Sequence, residues 1–287
     1  IISILHGTVG AIDLPTRLTF LVEMVGRRDL ASAIPINNGL FNAARFIGPA
    51  LAGALIASWG LGWPFILNGL SLAAGIWAIA AIRPIYSYKA DVNTHPVDSL
   101  KTGLRYAFGH PKILYFMLLA FLTAIFIWPF QILMPVVSEK VFASGATGLG
   151  SLLSAAGAGS LSGAIFTSAN ARRKNKIDLI VLGMIIASLG FILFSLNRNF
   201  VLAHVLLYVA GFGMLTQVST LNTLVQLASP DHMRGRVMAV YLTMFVGMMP
   251  LGNQLAGIVA EKTSAIFAIG LGGGLMLTVG TILYFKG

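Results

Sequence analysis

Long apolar runs constrain this chain more than any other feature of its sequence. Each is about 20 residues long, the length that an α-helix needs to cross the roughly 30 Å hydrocarbon core of a bilayer. Barrel strands cross in about 10 residues, so runs of this length predict helices. The fold class is therefore all-α, in a polytopic membrane protein. About nine runs are present, roughly at residues 1–22, 33–57, 65–83, 113–137, 147–169, 177–196, 200–228, 237–260 and 264–285.

Composition agrees with a membrane protein and argues against an enzyme. Of 287 residues, 57% are hydrophobic and 10% are charged, whereas about a quarter of a soluble domain is charged. Cysteine is absent, which excludes disulfides and thiol chemistry. The histidines lack metal-ligand spacing, and the sequence holds neither a phosphate-binding P-loop nor a G-x-S-x-G elbow. We expect no bound cofactor and no metal, and any transport should be driven by an ion gradient.

Positive charge alternates between the connections and so predicts the orientation. The formal net charge is +10, and 15 of the 19 basic residues fall on one side. The other side holds Lys140, Arg198 and Lys262, and Arg45 lies inside a predicted span. The positive-inside rule makes the first side cytoplasmic, with the C-terminus inside and Ile1 at the outer side. The charge is thus explained without a nucleic-acid partner. The 15 are Arg17, Arg27, Arg28, Arg83, Lys89, Lys101, Arg105, Lys112, Arg172, Arg173, Lys174, Lys176, Arg234, Arg236 and Lys286.

The longest connection, about Arg83 to Lys112, divides the predicted spans into three and six. We expect the remainder of a first bundle at 1–83, a cytoplasmic central loop at 84–112 and a six-helix bundle at 113–287. Within the loop, residues 96–110 have a weakly amphipathic pattern. That pattern suits either a helix on the inner membrane surface or a solvated linker.

One short signature occurs twice. Gly48 to Gly53 and Gly252 to Gly257 both read G-x-x-L-A-G, 204 residues apart, and each copy follows a basic loop. The repeat indicates two related halves. The same offset, counted back from residue 113, predicts about 90 residues, or about three spans, before Ile1, and hence two bundles of about six helices.

Three stretches resemble the major facilitator superfamily, and within it the drug and siderophore exporter branch. They are residues 13–17 (D-L-P-T-R), 42–49 (N-A-A-R-F-I-G-P) and 229–237 (S-P-D-H-M-R-G-R-V). Gly48-Pro49 looks like the branch's antiporter motif, with Ala52 in place of a glycine. Arg234-Gly235-Arg236 looks like its cytoplasmic loop motif. The resemblance implies a monomer in the plasma (inner) membrane of a bacterium, with protons as the coupling ion and a small molecule as substrate.

Charged residues inside spans are costly, so they indicate function or a specific pairing. Asp13, Arg17 and Arg45 sit at compatible depths, and Asp13 and Arg17 are one helical turn apart. We expect these three residues to form one buried cluster that binds the solute or gates the transport path. The alternative is an ion pair whose role is to lock two helices together, and the sequence pattern fits both. Asp13 is a candidate coupling acid, with a carboxylate in the preceding spans as the alternative. Gly48 and Pro49 predict a bend used in alternating access or a tolerated kink.

Amides and an aromatic ring inside spans are the candidate substrate contacts. An amide in hydrocarbon needs a partner or water, and rings bury area against large, partly apolar solutes. Packing against lipid or a neighbouring helix is the alternative explanation. The candidates are Trp128, Gln131, Gln217, Asn222, Asn253 and Gln254. Separately, Ser151, Ala155, Gly159 and Gly163, spaced by four residues, predict a close helix contact.

The resulting hypothesis is a secondary-active exporter of a small organic molecule, working by alternating access and proton antiport. An uptake permease of the same fold is the alternative within transport. A primary pump, a receptor without transport and an inactive fragment are the alternatives outside it. Vesicle transport that needs ATP would favour the pump, and binding without flux would favour the receptor.

Overall fold

The computed structural model of the chain describes residues 58–60, 62–82, 96–173 and 175–286, together with short runs and single positions between 20 and 55, such as 24–26, 32–37 and 39–41. Of the predicted charged and gating residues, Asp13, Arg17, Arg45 and Pro49 lie outside the described residues, whereas Gly48 is described.

The described residues are helical and contain no β-strand, which confirms the all-α prediction. The ten helices are α1 (Gly62–Ala81), α2 (Pro96–Gly109), α3 (Pro111–Phe126), α4 (Phe130–Lys140), α5 (Gly145–Ala169), α6 (Ile177–Leu196), α7 (Phe200–Ala228), α8 (Asp231–Phe245), α9 (Met249–Lys262) and α10 (Ala265–Lys286).

In the described part of the chain, six helical segments are long and apolar enough to cross a membrane, and each matches a predicted span. They are Gly62–Ala81, Pro111–Lys140, Thr147–Ala169, Ile177–Leu196, Phe200–Ala228 and Met233–Lys262. The last predicted span corresponds to α10, of which Ala265–Val279 is a shorter apolar helix. The first two predicted spans lie largely outside the described residues.

Two of these spans are interrupted, which the apolar runs did not predict. Residues 127–129 separate α3 from α4, and residues 246–248 separate α8 from α9. At the first interruption Pro129 has no N–H to donate to the carbonyl of Ile125. The backbone N–H groups of Ile127 and Trp128 both donate to the carbonyl of Thr123, each at 3.0 Å. Proline therefore ends one helix and begins the next within a single crossing.

Helix α7 is the packing centre of the described residues after 110, because α3, α5, α6 and α8 all pack against it. Its N-terminus is capped by Asn199, whose side-chain oxygen accepts from the N–H groups of Val201 and Leu202 at 2.9 and 3.1 Å. On α5, Gly159 and Gly163 lie against the backbone of α7, where a Cβ would collide with the carbonyls of Tyr208 and Phe212. The predicted close contact through small residues is confirmed at these two positions.

The central connection contains α2, so residues 96–109 are a helix and not a solvated linker. This helix packs against α8 and α3. Gly103 of α2 sits on the backbone of Arg236, where a Cβ would lie 3.0 Å from the Arg236 carbonyl oxygen, and Ala107 is fully buried. The connection is thereby attached to the second half.

Candidate functional site at two helix interruptions

The two interruptions lie against each other. Trp128, within the first, packs edge to face on Phe245, the last residue of α8, with ring centroids 5.2 Å apart. Tyr241, one turn earlier on α8, stacks on Phe245 at 6.2 Å. All three side chains are buried. Gln131 and Asn253 lie in the first turns of α4 and α9, which also contact each other. We refer to these five residues as the break cluster.

Glycines of α9 and α10 pack directly on the interrupted span. A Cβ at Gly252 would lie 2.7 Å from the carbonyl oxygen of Ala124 and 2.9 Å from that of Ile125. Gly272 lies in the same way against the carbonyl oxygen of Phe126. Since Pro129 leaves the Ile125 carbonyl without its helical donor, these close approaches shield carbonyls that the interruption exposes. The first glycine of the repeated signature is therefore a packing residue in the second half.

Three polar atoms of the break cluster are buried with no hydrogen-bond partner among the described residues. They are Gln131 Nε2, the Tyr241 hydroxyl and Asn253 Oδ1. Each such atom costs about 1–3 kcal/mol if nothing pairs with it. Because lipid offers no partner, polar groups inside a span are typical of sites that water or a solute reaches during transport. The cluster thus combines three adjoining rings with unpaired donors and acceptors, which suits a solute with apolar and polar parts.

A column of polar side chains on α7 adjoins the break cluster. The residues are buried and comprise Thr216, Gln217, Ser219, Thr220, Asn222, Thr223 and Gln226. Gln217 Nε2 donates to the hydroxyl of Thr123, on α3 just before the first interruption, at 3.0 Å. Gln226 Nε2 donates to Asn222 Oδ1 at 2.7 Å. The column and the interrupted span are therefore joined by a side-chain hydrogen bond.

Much of this column is satisfied within its own helix. The hydroxyls of Thr216, Thr220 and Thr223 donate to carbonyls one turn earlier, at 2.6 to 2.8 Å. Among the described residues, Gln217 Oε1 and the Ser219 hydroxyl have no partner. The threonine hydroxyls therefore need no hydrogen bond from a solute. The Oε1 atom of Gln217 and the hydroxyl of Ser219 could each form one with a solute.

The cytoplasmic loop motif forms a joint between helices. The Nε atom of Arg234 donates to the carbonyl of Gln226 at 3.0 Å, and its Nη2 atom donates to the carbonyl of Ser229 at 3.5 Å. A guanidinium at the end of a helix satisfies carbonyls that have no helical donor and complements the negative end of the helix dipole. Arg234 thus ties the end of α7 to the start of α8, and Arg236, two residues on, supports α2 through its backbone. Gly235 separates the two arginines.

The sequence-predicted candidates fall into three groups. Trp128, Gln131 and Asn253 belong to the break cluster, and Gln217 and Asn222 lie on the α7 column. Gln254 is exposed, on a different face of α9 from Asn253. Tyr241, Phe245 and Thr123 were not predicted. The Trp128-Pro129 and Gly247-Met248-Met249-Pro250 steps inside apolar runs were the signal that could have located them.

Within the described residues, no group of three histidines, aspartates or glutamates is placed to hold a metal ion. Within residues 96–286, each acidic residue lies at or near a helix end, such as Glu139 on α4, Asp178 on α6 and Glu261 on α9. The described spans thus contain polar amides and hydroxyls in their interiors, with the acids near the membrane surfaces.

Comparison with known proteins gives concordant matches. A family model described as transmembrane secretion effector matches residues 1–286. The chain is 26% identical, over 294 aligned residues, to the enterobactin exporter EntS of Escherichia coli O1:K1. It is also 26% identical to the enterobactin exporter EntS of Escherichia coli O127:H6 (strain E2348/69). Each alignment covers 99% of this chain and 67% of the relative.

Proposed function

Because the chain belongs to the transmembrane secretion effector family of major facilitator transporters, we propose that it exports a small organic molecule by alternating access, in exchange for protons. It is a multi-pass integral membrane protein of the plasma membrane. Its relatives are transporters, and we propose that it likewise has no enzymatic activity and works as a monomer.

The break cluster is the observation that carries this proposal. Interrupted helices in membrane transporters occur where the backbone lines a solute site, since irregular backbone is tolerated only in protein or against water. Here two interrupted spans meet at Trp128 and Phe245, with unpaired polar atoms on Gln131 and Asn253. A site of this kind selects solutes that carry both rings and hydrogen-bonding groups.

The relatives suggest the substrate class. The curated proteins are exporters of enterobactin by name, and we propose a siderophore-like or drug-like solute for this chain. The cluster offers ring faces for apolar or aromatic parts of such a solute, and amides for its polar atoms. The buried rings of Trp128, Tyr241 and Phe245 suit stacking, and Gln131 Nε2 and Asn253 Oδ1 supply one donor and one acceptor.

Proton coupling requires an acid whose environment changes between the two access states. The acids of the described spans lie near the membrane surfaces, so we assign coupling to a carboxylate of the first half, for which Asp13 is the candidate. Arg45 is the proposed partner that stabilises its ionised form, with Arg17 one turn away from Asp13. Gly48-Pro49 is the proposed bend about which the first half rearranges.

The test uses the full-length protein in everted membrane vesicles, with enterobactin as the probe. The expected result is uptake that needs an inside-acid pH gradient and is lost when an ionophore collapses that gradient. Asn253→Leu and Gln131→Leu should each lower uptake about 2–10-fold, the effect of one lost hydrogen bond. Thr278→Val is the matched control, because Thr278 is exposed on α10 and its hydroxyl donates to the Gly274 carbonyl of its own helix.

Three outcomes would contradict the proposal. Uptake that needs ATP and no gradient would identify a pump, and binding of enterobactin without flux would identify a receptor. Accumulation in right-side-out vesicles, with none in everted ones, would identify an uptake permease. If both amide variants transport like the Thr278→Val control, the break cluster is not part of the solute path.

A further inference from the structure

A cleft lies between α9 and α10, with the end of α3 as its base. It contains about 510 Å³ of empty space, part of it on its open side, and every side chain that lines it is apolar. The floor consists of Ile125 and Phe126 at the end of α3, with the small residues Ala268 and Gly272 of α10 beside them. The partly exposed side chains of Leu255, Leu271 and Leu275 form the rims. The cleft is therefore a slot between two helices and not an exposed apolar face.

The length of the cleft matches one leaflet of a bilayer. Helices α9 and α10 form a hairpin whose turn, at Thr263 and Ser264, lies at one membrane surface. Leu255 is seven residues from the end of α9, and Leu275 is ten residues from the start of α10. At 1.5 Å per residue the cleft reaches roughly 10–15 Å below that surface, about half of the 30 Å hydrocarbon core.

A positive charge stands at the open end of the cleft. Lys262 follows Leu255 by seven residues, or two helical turns, so both lie on the same face of α9, and Lys262 is exposed. Glu261 is one residue earlier and therefore about 100° around the helix, away from that face. Since α9 ends at Lys262, its ammonium group lies at the depth of lipid phosphates.

We propose that this cleft binds an anionic phospholipid, with one acyl chain along its floor and the phosphate at Lys262. The positive-inside rule places the hairpin turn at the outer surface, so the lipid belongs to the outer leaflet. An acyl chain gains contact with apolar side chains along its whole length, and every residue that lines the cleft is apolar. This site is independent of the transported solute and of the coupling ion.

The experiment is native mass spectrometry of the full-length protein released from micelles that contain equal amounts of phosphatidylglycerol and phosphatidylcholine. The wild type should retain one phosphatidylglycerol, at about fivefold preference, as expected for one lysine at a membrane surface. Ala256→Phe, which fills the cleft, should lower retention of both lipids at least fivefold. Lys262→Gln should retain a lipid but without preference for phosphatidylglycerol.

Ala158→Leu on α5 is the matched control, because it enlarges an exposed alanine outside the cleft. It should retain lipid like the wild type. If Ala256→Phe fails to fold, as judged by tryptophan fluorescence during heating, the Lys262→Gln comparison decides alone. Equal phosphatidylglycerol preference in Lys262→Gln and wild type would overturn the proposal. So would a wild-type protein that retains no lipid, as expected if another part of the chain covers the cleft.

Discussion

Replacing Thr123 by valine should destabilise the protein more than replacing Gln217 by leucine, although the two side chains share one hydrogen bond. Gln217 is fully buried, its Nε2 donates to Thr123, and its Oε1 has no partner among the described residues. The Thr123 hydroxyl also donates to the Leu119 carbonyl, at 2.7 Å. The two substitutions therefore leave different groups unpaired.

The magnitudes follow from these partners. Thr123→Val removes the acceptor of a buried amide that already has one unpaired atom, and leaving a buried polar group unpaired costs about 1–3 kcal/mol. Gln217→Leu loses one hydrogen bond between membrane helices, worth about 0.6 kcal/mol on average and 1.7 at most. It also removes the unpaired oxygen, which offsets that loss, while Thr123 keeps its bond to Leu119. Gln217→Leu should therefore change the free energy of unfolding by less than about 1 kcal/mol.

The assay is the apparent melting temperature of the full-length protein in detergent, followed by intrinsic tryptophan fluorescence. One kcal/mol corresponds to about 2–4 °C for domains of 150–250 residues, so Thr123→Val should lower the midpoint by roughly 2–12 °C. The double variant should melt like Gln217→Leu alone, since no amide remains to be left unpaired. If Gln217→Leu lowered the midpoint as much as Thr123→Val, Gln217 Oε1 would have a partner, and the reasoning about unpaired atoms would be wrong.

Three further predictions concern the packing of the second half. Asn199→Ala should lower the free energy of unfolding by about 1 kcal/mol, because the cap of α7 is lost, whereas Asn199→Asp should keep it; melting curves of the two variants check this. Gly252→Leu should lower the free energy of unfolding by about 1–3 kcal/mol or more, since a side chain there meets the backbone of α3. Gly257→Leu is the control, because a Cβ there meets nothing within 4 Å, and it should leave the melting midpoint nearly unchanged. Gly103→Val should detach α2 from the backbone of Arg236, which increased proteolysis at 96–109 would report, and unchanged cleavage would contradict.

Hydropathy and charge were sufficient to predict the all-α class and the positions of the described spans. An apolar run of about 20 residues predicts a helix directly, because the other structure that satisfies its backbone in lipid, a barrel strand, crosses in about 10 residues. The interruptions at 127–129 and 246–248 were not predicted. Hydropathy does not distinguish a continuous helix from two half-helices with equally apolar residues, and Pro129 and Pro250 alone are compatible with a simple kink.

The residues of the candidate site were predicted only in part, because residue type is visible in the sequence and the direction of a side chain is not. Gln131 and Asn253 were identified because an amide is conspicuous in an apolar run. Tyr241 and Phe245 were missed because aromatic residues are common in spans, and only the contact with Trp128 distinguishes them. Gln254 carries the same amide as Gln131 but is exposed on α9. Composition gives the residue type, whereas the direction of each side chain depends on where the helix is interrupted.

The most direct test of a solute path at the break cluster is the accessibility of Gln131 and Asn253 to water. The 287 residues contain no cysteine, so Gln131→Cys and Asn253→Cys each introduce one thiol into this part of the protein. The full-length protein without these substitutions gives the background labelling, and Ala203→Cys, at a fully buried alanine of α7, is the control. A small membrane-impermeant thiol reagent should label the first two in right-side-out or everted vesicles, and enterobactin should protect them. If both remain as unreactive as the Ala203→Cys control from either side, the break cluster is a sealed packing contact and the proposed path is wrong.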